Sequence, residues 1–421
     1  MTTLHWAPAA IAVQQVEAGS IDSVDGTPAN NTFTVTIGNV SISQVGDTDV
    51  ATTAAALVAL LNASTHPYFN RITWTNPSAG DIVGTADNAG EPFVATLTET
   101  GAGTGAVTDF ATSTANDGPN VFDSPDNWRE GAAPSSSDEL VFANSTIPCR
   151  WGLEQTSLTG LVLYTDDTFE GEIGLNPDAV QTDAAGSTVD TAAPEYRTAE
   201  LAADFATIEV GRRRAGVEGD GSPMIRLHNS RSSGSTCRVQ STGTGGARDA
   251  FEYSAVHASA TLEIREALGG VGVCTSSTRP TGTLGTIEES GGNAATKVAI
   301  GAGVTFGPYV QRGGTGKIAP AATLGSATAY GGTLTITGSS TVTALFAYGG
   351  DVRVNGAQTV TAATVNFAGV LDLSKSSATR TLTLVTLVWG TYVRGRNATV
   401  TSLVAPGSTG IPGHTVVATP P

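Results

Sequence analysis

The chain has 421 residues and an acidic balance, with 38 Asp and Glu against 21 Lys and Arg, which gives a formal net charge of −17. So acidic a chain is a poor candidate for binding nucleic acid, because contacts to phosphate need clustered basic side chains. Charged residues make up only 14% of the chain and 51 residues are Gly, a composition that differs from that of an ordinary enzyme. It is typical of long β-structure with frequent tight turns.

Several classes of site and location are also disfavoured. Cys149, Cys237 and Cys274 are too few and too widely spaced for a disulfide framework or a zinc site. The five histidines are isolated from one another, so we predict no metal and no cofactor. Residues 1–20 lack the pattern of a secretory signal peptide, and no apolar run reaches about 18 residues. We therefore expect neither export by a signal peptide nor a membrane-spanning helix.

Residues 1–116 are predicted to form a small α+β module that anchors the chain. Apolar and polar residues alternate over 33–37, which indicates a half-buried strand. Asp47 and Thr48 are candidate N-caps for a helix over residues 50–62, whose apolar side chains fall on one face. Pro67 follows shortly after and favours the end of that helix.

Residues 117–203 are predicted to form a β-rich connecting region, with a protruding loop over 176–194. Near its start lies the Asp126-Asn127-Trp128 element. We interpret Trp128 as an anchor at the edge of the β-structure, in preference to a ligand site.

Residues 204–421 are predicted to form a right-handed β-solenoid, most regular over 291–405. Double-glycine marks recur there about every 20 residues, each followed by a short alternating strand, as expected for stacked repeats. The glycines are interpreted as corner residues, where φ is positive and a side chain does not fit; they are Gly291, Gly292, Gly313, Gly314, Gly331, Gly332, Gly349, Gly350 and Gly369. The aromatic residues beside the corners, Tyr330, Tyr348 and Phe367, are predicted to stack on one another in neighbouring turns.

Glycan cleavage is the enzymatic alternative, because β-solenoids that cleave polysaccharides use paired carboxylates on one outer face. It is disfavoured because the repeats over 291–405 contain only two acids, Asp351 and Asp372. It stays open because of two groups of carboxylates, Asp166, Asp167 and Glu172 in the connecting region, and Glu288 with Glu289 before the regular repeats.

The chain resembles known surface proteins in two ways. Asn127-Trp128, followed by the 131–134 turn, Asp138 and the apolar pair at 141–142, resembles the opening of β-helical surface proteins, a motif that marks a fold more than a function. The wider layout resembles a group of proteins from tailed bacteriophages and prophages. The segments that carry this second resemblance are 33–37, 54–62, 90–93, 194–197 and the Gly-Gly-Thr-Leu repeats.

The resemblance implies a virion component without catalytic residues, a homotrimer, and a module placed nearer the particle. We therefore expect a structural protein on the virion surface, made in the host cytoplasm, that decorates the capsid or forms a short head fibre in contact with major capsid or tail proteins. The alternatives are a tail fibre or spike that binds or depolymerises a host surface glycan, and a bacterial surface adhesin. In a trimer, four apolar residues predicted to point outward would be covered between protomers: Leu371, Leu373, Leu384 and Leu387.

Overall fold

The structure is a computed structural model that describes residues 1–25, 27, 30–166, 168–174, 180–182, 188–190, 200–212, 225–242, 250–275, 281–292, 294–319, 322–337, 341–375, 378–405 and 414–418. In chain order, its elements are β1 (Thr3–His5), β2 (Val16–Ser23), β3 (Asn31–Ile37), β4 (Val40–Val45), α1 (Val50–Ala63), β5 (Ile72–Thr75), β6 (Asp81–Ala86), β7 (Thr96–Gly101), β8 (Ala106–Thr114), a short 3-10 helix (Pro125–Asn127), β9 (Glu139–Phe142), β10 (Glu154–Gln155), β11 (Leu161–Asp166), β12 (Val180–Thr182), β13 (Thr188–Asp190), β14 (Leu201–Ala203), β15 (Phe205–Arg212), β16 (Ile225–Asn229), β17 (Ser235–Val239), β18 (Phe251–Ala255), β19 (Ala260–Ile264), β20 (Val271–Val273), β21 (Gly282–Leu284), β22 (Thr286–Glu289), β23 (Lys297–Ile300), β24 (Val304–Gln311), β25 (Thr315–Ile318), β26 (Thr323–Ala329), β27 (Thr333–Ile336), β28 (Thr341–Tyr348), β29 (Asp351–Val354), β30 (Gln358–Asn366), β31 (Gly369–Asp372), β32 (Arg380–Leu387), β33 (Gly390–Arg394), β34 (Ala398–Val404) and β35 (His414–Ala418).

A small α+β module precedes the main body of the protein. Its two antiparallel sheets have the orders β5-β6-β2-β8 and β4-β3-β7, and α1 follows β4 in the chain. Strand β3 alternates buried and half-buried side chains, so that every second residue points into the module. These side chains join those of α1 and of the β5-β6-β2-β8 sheet in a core that is separate from the rest of the protein. Its largest members are Phe33, Leu57, Leu61, Phe69, Trp74 and Phe93.

Helix α1 spans 14 residues, Val50–Ala63, so the prediction of a helix over 50–62 is confirmed. Its N-cap is Asp49 rather than the predicted Asp47 or Thr48, because the Asp49 carboxylate accepts the backbone N–H of Thr52 at 2.7 Å. In the part of the chain that the structure describes, no helix is long and apolar enough to cross a membrane.

The main body is a parallel β-solenoid built from two long sheets. The first sheet has the order β1-β9-β11-β15-β17-β19-β22-β24-β26-β28-β30-β32-β34, with β21 beside β24. The second has the order β10-β14-β16-β18-β20-β23-β25-β27-β29-β31-β33-β35. Neighbouring strands come from successive turns and pair in parallel, as Ile318 does with Ile336 and Ile336 with Val354. Backbone hydrogen bonding therefore runs along the stack, with neighbouring turns about 4.8 Å apart.

Each regular turn has three faces, because the long strands of the first sheet bend. In β24, Phe306 and Tyr309 are buried, whereas Gly307 and Pro308 between them are not. The two halves of β24 pair separately with β21 and β22 of the preceding turn. We call the β21 side the first face, the β22 side the second face, and the second sheet the third face.

One hydrophobic core fills the solenoid from Leu4 to Ala398. It includes buried residues of the region predicted as a connector, such as Leu163, so that region belongs to the stack. The predicted start of the module at residue 1 is wrong, because β1 pairs in parallel with β9 and Trp6 is buried in the solenoid core. The predicted loop over 176–194 is described only at β12 and β13, which pair with each other antiparallel.

The double-glycine marks lie in the turns between the second and third faces, and close packing against the preceding turn is more common in them than a positive φ. An added Cβ would come within 3 Å of a backbone atom of the preceding turn at Gly291, Gly313, Gly331, Gly350 and Gly369, none of which has a positive φ. Positive φ occurs at Gly292, Gly314, Gly332 and Gly349. At the last three of these, an added Cβ would also come within 3 Å of a backbone atom of the preceding turn. In the turn before β31 the left-handed residues are Phe367 and Ala368, so glycine is not required for the conformation there.

Three of the four leucines predicted to cover a trimer interface point inward. Leu371, Leu373 and Leu387 are at most 1% exposed and belong to the solenoid core, and Leu384 is half-buried. The prediction fails because a shift of one residue in an alternating strand exchanges the inner and outer side chains. In β31 the side chain at Val370 lies on the outer side and that of Leu371 on the inner side.

Candidate functional site

The carboxylates of the predicted connecting region make local contacts. Asp166 accepts hydrogen bonds from the backbone N–H and the hydroxyl of Thr168, at 2.9 and 2.5 Å. Glu172 lies 3.3 Å from the guanidinium of Arg150. Asp167 lies outside the described residues. These contacts give Asp166 a role in the turn after β11 and give Glu172 a cationic partner.

Glu288 and Glu289 are neighbours in sequence but point to opposite sides of β22. Glu288 lies on the outer side, 2.8 Å from Arg312 of the next turn. Glu289 points inward, is 1% exposed, and accepts the backbone N–H of Gly292 at 2.7 Å and those of Arg312 and Gly313 at 2.8 and 2.6 Å. The Glu289 carboxylate thus satisfies backbone donors in two successive corners, so the pair does not form two acids on one outer face.

An ion-pair ladder follows the outer side of the second face across the turns before the regular repeats. Glu263 lies 2.8 Å from Arg238 and 3.1 Å from Arg265. The hydrogen bond from Arg238 is the main cause that holds the pKa of Glu263 below its usual value, and Arg265 acts in the same direction. These charges compensate one another along the stack, as expected for a structural ladder.

A second charged pair is buried on the third face. Arg226 and Glu252 face each other at 2.9 Å on paired positions of β16 and β18, with side chains only 2% and 8% exposed. Two residues further along the same strands, the paired residues His228 and Ser254 make a side-chain hydrogen bond of 2.7 Å. Every residue of β16 and β18 is buried, so this stretch of the third face is covered on both of its sides.

The three cysteines are free thiols in the interior. Burial raises the pKa of Cys149 and Cys237 well above the usual value and that of Cys274 to about 12. Thiols of this kind are protonated and unreactive at neutral pH. Among the described residues, no group of three His, Cys, Asp or Glu side chains is placed to hold a metal ion.

The main exposed apolar feature of the regular repeats is a row of aromatic side chains, which we call the aromatic ridge. It consists of Tyr330, Tyr348, Phe367 and Trp389, one from each of four successive turns, all at the corner between the second and third faces. The ring centroids of Tyr330 and Tyr348 are 5.8 Å apart, and those of Tyr348 and Phe367 are 6.1 Å apart. The backbone N–H of Ala368 donates to the carbonyl of Trp389 at 3.1 Å, so the corner that carries Trp389 lies next to the corner that carries Phe367.

The aromatic ridge is open to solvent and has charged neighbours. Tyr330 is 48% exposed, Phe367 62% and Trp389 52%, whereas Tyr348 is half-buried. At one end, the Arg312 guanidinium carbon lies 5.2 Å from the centre of the Tyr330 ring, within the range of a cation–π contact. Asp351 begins the strand directly after the Tyr348 corner. The arrangement offers ring surfaces next to hydrogen-bonding groups.

The Asn-Trp element closes the end of the solenoid where the chain enters and leaves the module. Trp128 is 2% exposed, packs edge-to-face against Trp6 at 5.3 Å and donates its indole N–H to the carbonyl of Phe122 at 2.8 Å. Asn127 is fully buried and hydrogen-bonded to both chain crossings, at Ala9 and Ala10 and at Gly118 and Val121.

Two residues that matter in the structure were missed at the sequence level. Trp389 follows no double-glycine mark, although its position directly before Gly390 places it at the same corner. Asn127 was noted only as part of the Asn-Trp element, because nothing in its immediate sequence indicates four backbone partners.

Comparison with known proteins identified no relative of this chain. No protein-family model, no curated protein and no solved structure matches the chain.

Proposed function

We propose that this protein is a structural component on the surface of a tailed-bacteriophage particle, a capsid decoration or short head fibre without catalytic activity. The observation that carries the proposal is the single parallel stack, whose one core runs from Leu4 to Ala398, joined to a compact module with a core of its own. A stack of this kind presents an extended surface, and a module at one end suits attachment to a particle.

The joint between module and solenoid supports a role in attachment. The chain leaves the solenoid before Val13 and returns at Asp117, and the N–H of Val13 donates to the carbonyl of Asp117 at 2.8 Å. The buried amide of Asn127 ties the same two crossings to the first turn of the stack. The module is thus held by two chain segments that bond to each other, which is a firmer joint than a single linker.

The absence of catalysis is proposed because the candidate carboxylates within the described residues have structural partners. Glu289 is buried on backbone donors, and Asp166, Glu172 and Glu288 each bond to a neighbouring side chain. A glycosidase needs a carboxylic acid and a carboxylate that flank one bond from facing positions.

A homotrimer is part of the proposal, but Leu371, Leu373 and Leu387 point inward and cannot form its interface. Outside the aromatic ridge, the most exposed large apolar side chains of the last described turns are Val388, Leu403 and Val404.

The proposal is tested on particles produced by cells that carry this gene. Mass spectrometry of purified particles should detect the chain, and light scattering of the purified protein should give its oligomeric state. Particles made without the gene should take up added full-length protein, and cryo-electron microscopy should place it on the capsid. Purified particles that lack the chain and do not bind added protein would overturn the proposal.

The second candidate function, a tail fibre or spike that binds a host surface glycan, is favoured by the aromatic ridge. Cryo-electron microscopy density on the tail instead of the capsid would support it. Release of oligosaccharides from host surface polysaccharide by the purified protein would extend it to depolymerisation.

A further inference from the structure

We propose that the aromatic ridge is a binding site for a saccharide chain, whose sugar rings stack on Tyr330, Phe367 and Trp389. This site does not depend on where the protein resides, and it would serve a capsid protein as well as a fibre. It requires no catalytic group.

The size of the exposed surface favours a slender ligand over a second protein. Three aromatic side chains of about 200 Å² each, roughly half exposed, offer about 300 Å². A stable protein interface buries about 800 Å² on each partner. The aromatic ridge alone is therefore too small to hold a second copy of the chain, whereas an oligosaccharide needs only a narrow row of contacts.

The spacing of the rings suits a polymer with a short repeat. Neighbouring turns of the solenoid follow one another at about 4.8 Å, and the ring centroids along the row are 5.8 and 6.1 Å apart. This is comparable to the length of one sugar unit in a chain. Tyr330 and Phe367 lie two turns apart, with the half-buried Tyr348 between them, and Trp389 lies one turn further. A saccharide lying along the stack can thus meet an exposed ring every one or two turns.

The chemistry of the site matches that of a sugar. The face of an aromatic ring is negative in its quadrupole, and the C–H bonds on one side of a pyranose are polarised positively by the adjacent oxygens. The hydroxyls around the edge of the sugar need donors and acceptors, which Arg312 and Glu288 provide at one end of the row and Asp351 beside its centre. A purely apolar partner would remove water from these charged groups without replacing its hydrogen bonds, which costs free energy.

The protein carries its own reporter for this site, because Trp389 is the exposed tryptophan among five. Trp389 is 52% exposed, whereas the other four are at most 5% exposed: Trp6, Trp74, Trp128 and Trp151. Iodide quenching of intrinsic fluorescence therefore monitors Trp389 selectively. A sugar stacked on this indole should shift the emission to shorter wavelength and protect it from iodide.

The experiment uses the full-length protein on a printed array of bacterial surface oligosaccharides, followed by fluorescence titration with the strongest binder in free form. Tyr330→Ala, Phe367→Ala and Trp389→Ala should each weaken binding about 3- to 10-fold, the range expected for one stacking contact. Tyr330→Phe should retain binding, because it keeps the ring. Trp389→Phe should retain binding on the array while losing the fluorescence change. Val256→Ala is the matched control, since Val256 is 49% exposed on the solenoid but lies far from the aromatic ridge in the stack.

Circular dichroism should show that these surface variants remain folded at the temperature of the binding measurement. Binding that the alanine variants lower and the control does not would support the site. No oligosaccharide bound on the array, or binding that Tyr330→Ala and Trp389→Ala leave at the level of the unmodified protein, would overturn it.

Discussion

The side-chain oxygen of Asn127 accepts the backbone N–H of Ala10 at 3.0 Å, and this bond links the chain that enters the module to the first turn of the solenoid. The same oxygen accepts the N–H of Ala9, and the side-chain nitrogen donates to the carbonyls of Gly118 and Val121 at 2.7 and 2.8 Å. One amide therefore satisfies four backbone groups on two segments that lie more than 100 residues apart in sequence.

We predict that Asn127→Ala destabilises the protein by at least about 2 kcal/mol, because the buried backbone groups of Ala10, Gly118 and Val121 lose this side-chain partner. Asn127→Asp should also destabilise it, since a carboxylate cannot donate to the two carbonyls. Urea unfolding followed by circular dichroism measures the effect. Asn88→Ala is the control, because the exposed Asn88 side chain donates only a long hydrogen bond, at 3.3 Å to Glu91. Equal midpoints for the Asn127 variants and the control would contradict the assigned role.

Glu288 and Glu289 provide a matched pair of substitutions at adjacent positions. Glu289→Gln should lower the apparent free energy of unfolding by about 1–3 kcal/mol, because an amide has one acceptor oxygen where the carboxylate uses both against backbone donors. Glu288→Gln should cost at most about 1 kcal/mol, because it removes a partly exposed ion pair with Arg312. Chemical unfolding of both variants under the same conditions gives the comparison. A larger effect at Glu288 would mean that Glu289 does not hold the two corners.

The corner at Gly314 should not tolerate a side chain. Gly314 has a φ of 61°, and an added Cβ would lie 2.2 Å from the carbonyl oxygen of Thr296. Gly314→Ala is therefore expected to cost at least about 2 kcal/mol. Gly325→Ala is the control, because the nearest atom to its added Cβ is 3.8 Å away. That variant should be neutral or more stable by up to about 1 kcal/mol. Thermal melting of both proteins distinguishes the two outcomes.

The three thiols should be unreactive in the folded protein. Cys149, Cys237 and Cys274 are buried, and burial raises the pKa of each. Ellman's reagent at neutral pH should titrate no thiol in native protein and all three after denaturation in urea, because the thiolate is the reactive form. Rapid reaction of one thiol without denaturant would show that the solenoid opens locally near that residue.

The ladder at Glu263 should make a pH-dependent contribution to stability. Its folded pKa is held below the unfolded value, first by the hydrogen bond from Arg238. The ionised carboxylate therefore stabilises the fold above the unfolded pKa, and this contribution is lost as the pH falls through the folded pKa. Glu263→Gln should cost about 0.5–1 kcal/mol at neutral pH and nothing once the pH is below the folded pKa.

Urea unfolding of Glu263→Gln at pH 7 and at low pH measures this difference. Glu170→Gln is the control, because Glu170 is exposed and should show little effect at either pH. A deficit of Glu263→Gln that persists at low pH would assign the effect to packing rather than to charge.

Local pattern was enough to predict the class of fold and the position of its repeats. Alternating residues after each double glycine indicate strands, and the recurrence of these units predicts that they stack, because one turn alone cannot bury its apolar side. The corner aromatics Tyr330, Tyr348 and Phe367 follow from the same recurrence, since equivalent positions in successive turns lie side by side.

Only the tertiary structure decided which side chains face inward and where distant segments meet. Leu371 lies inside because the corner at Gly369 sets where the alternation starts. The alternation alone does not tell which of its two sets of side chains faces the core. Trp6 packs on Trp128 because β1 pairs with β9 across more than 100 residues, and contacts of that separation leave no local signal. The sequence by itself thus determined the solenoid and its period, whereas three-dimensional packing determined the ends of the stack, its inner and outer residues, and the aromatic ridge that Trp389 completes.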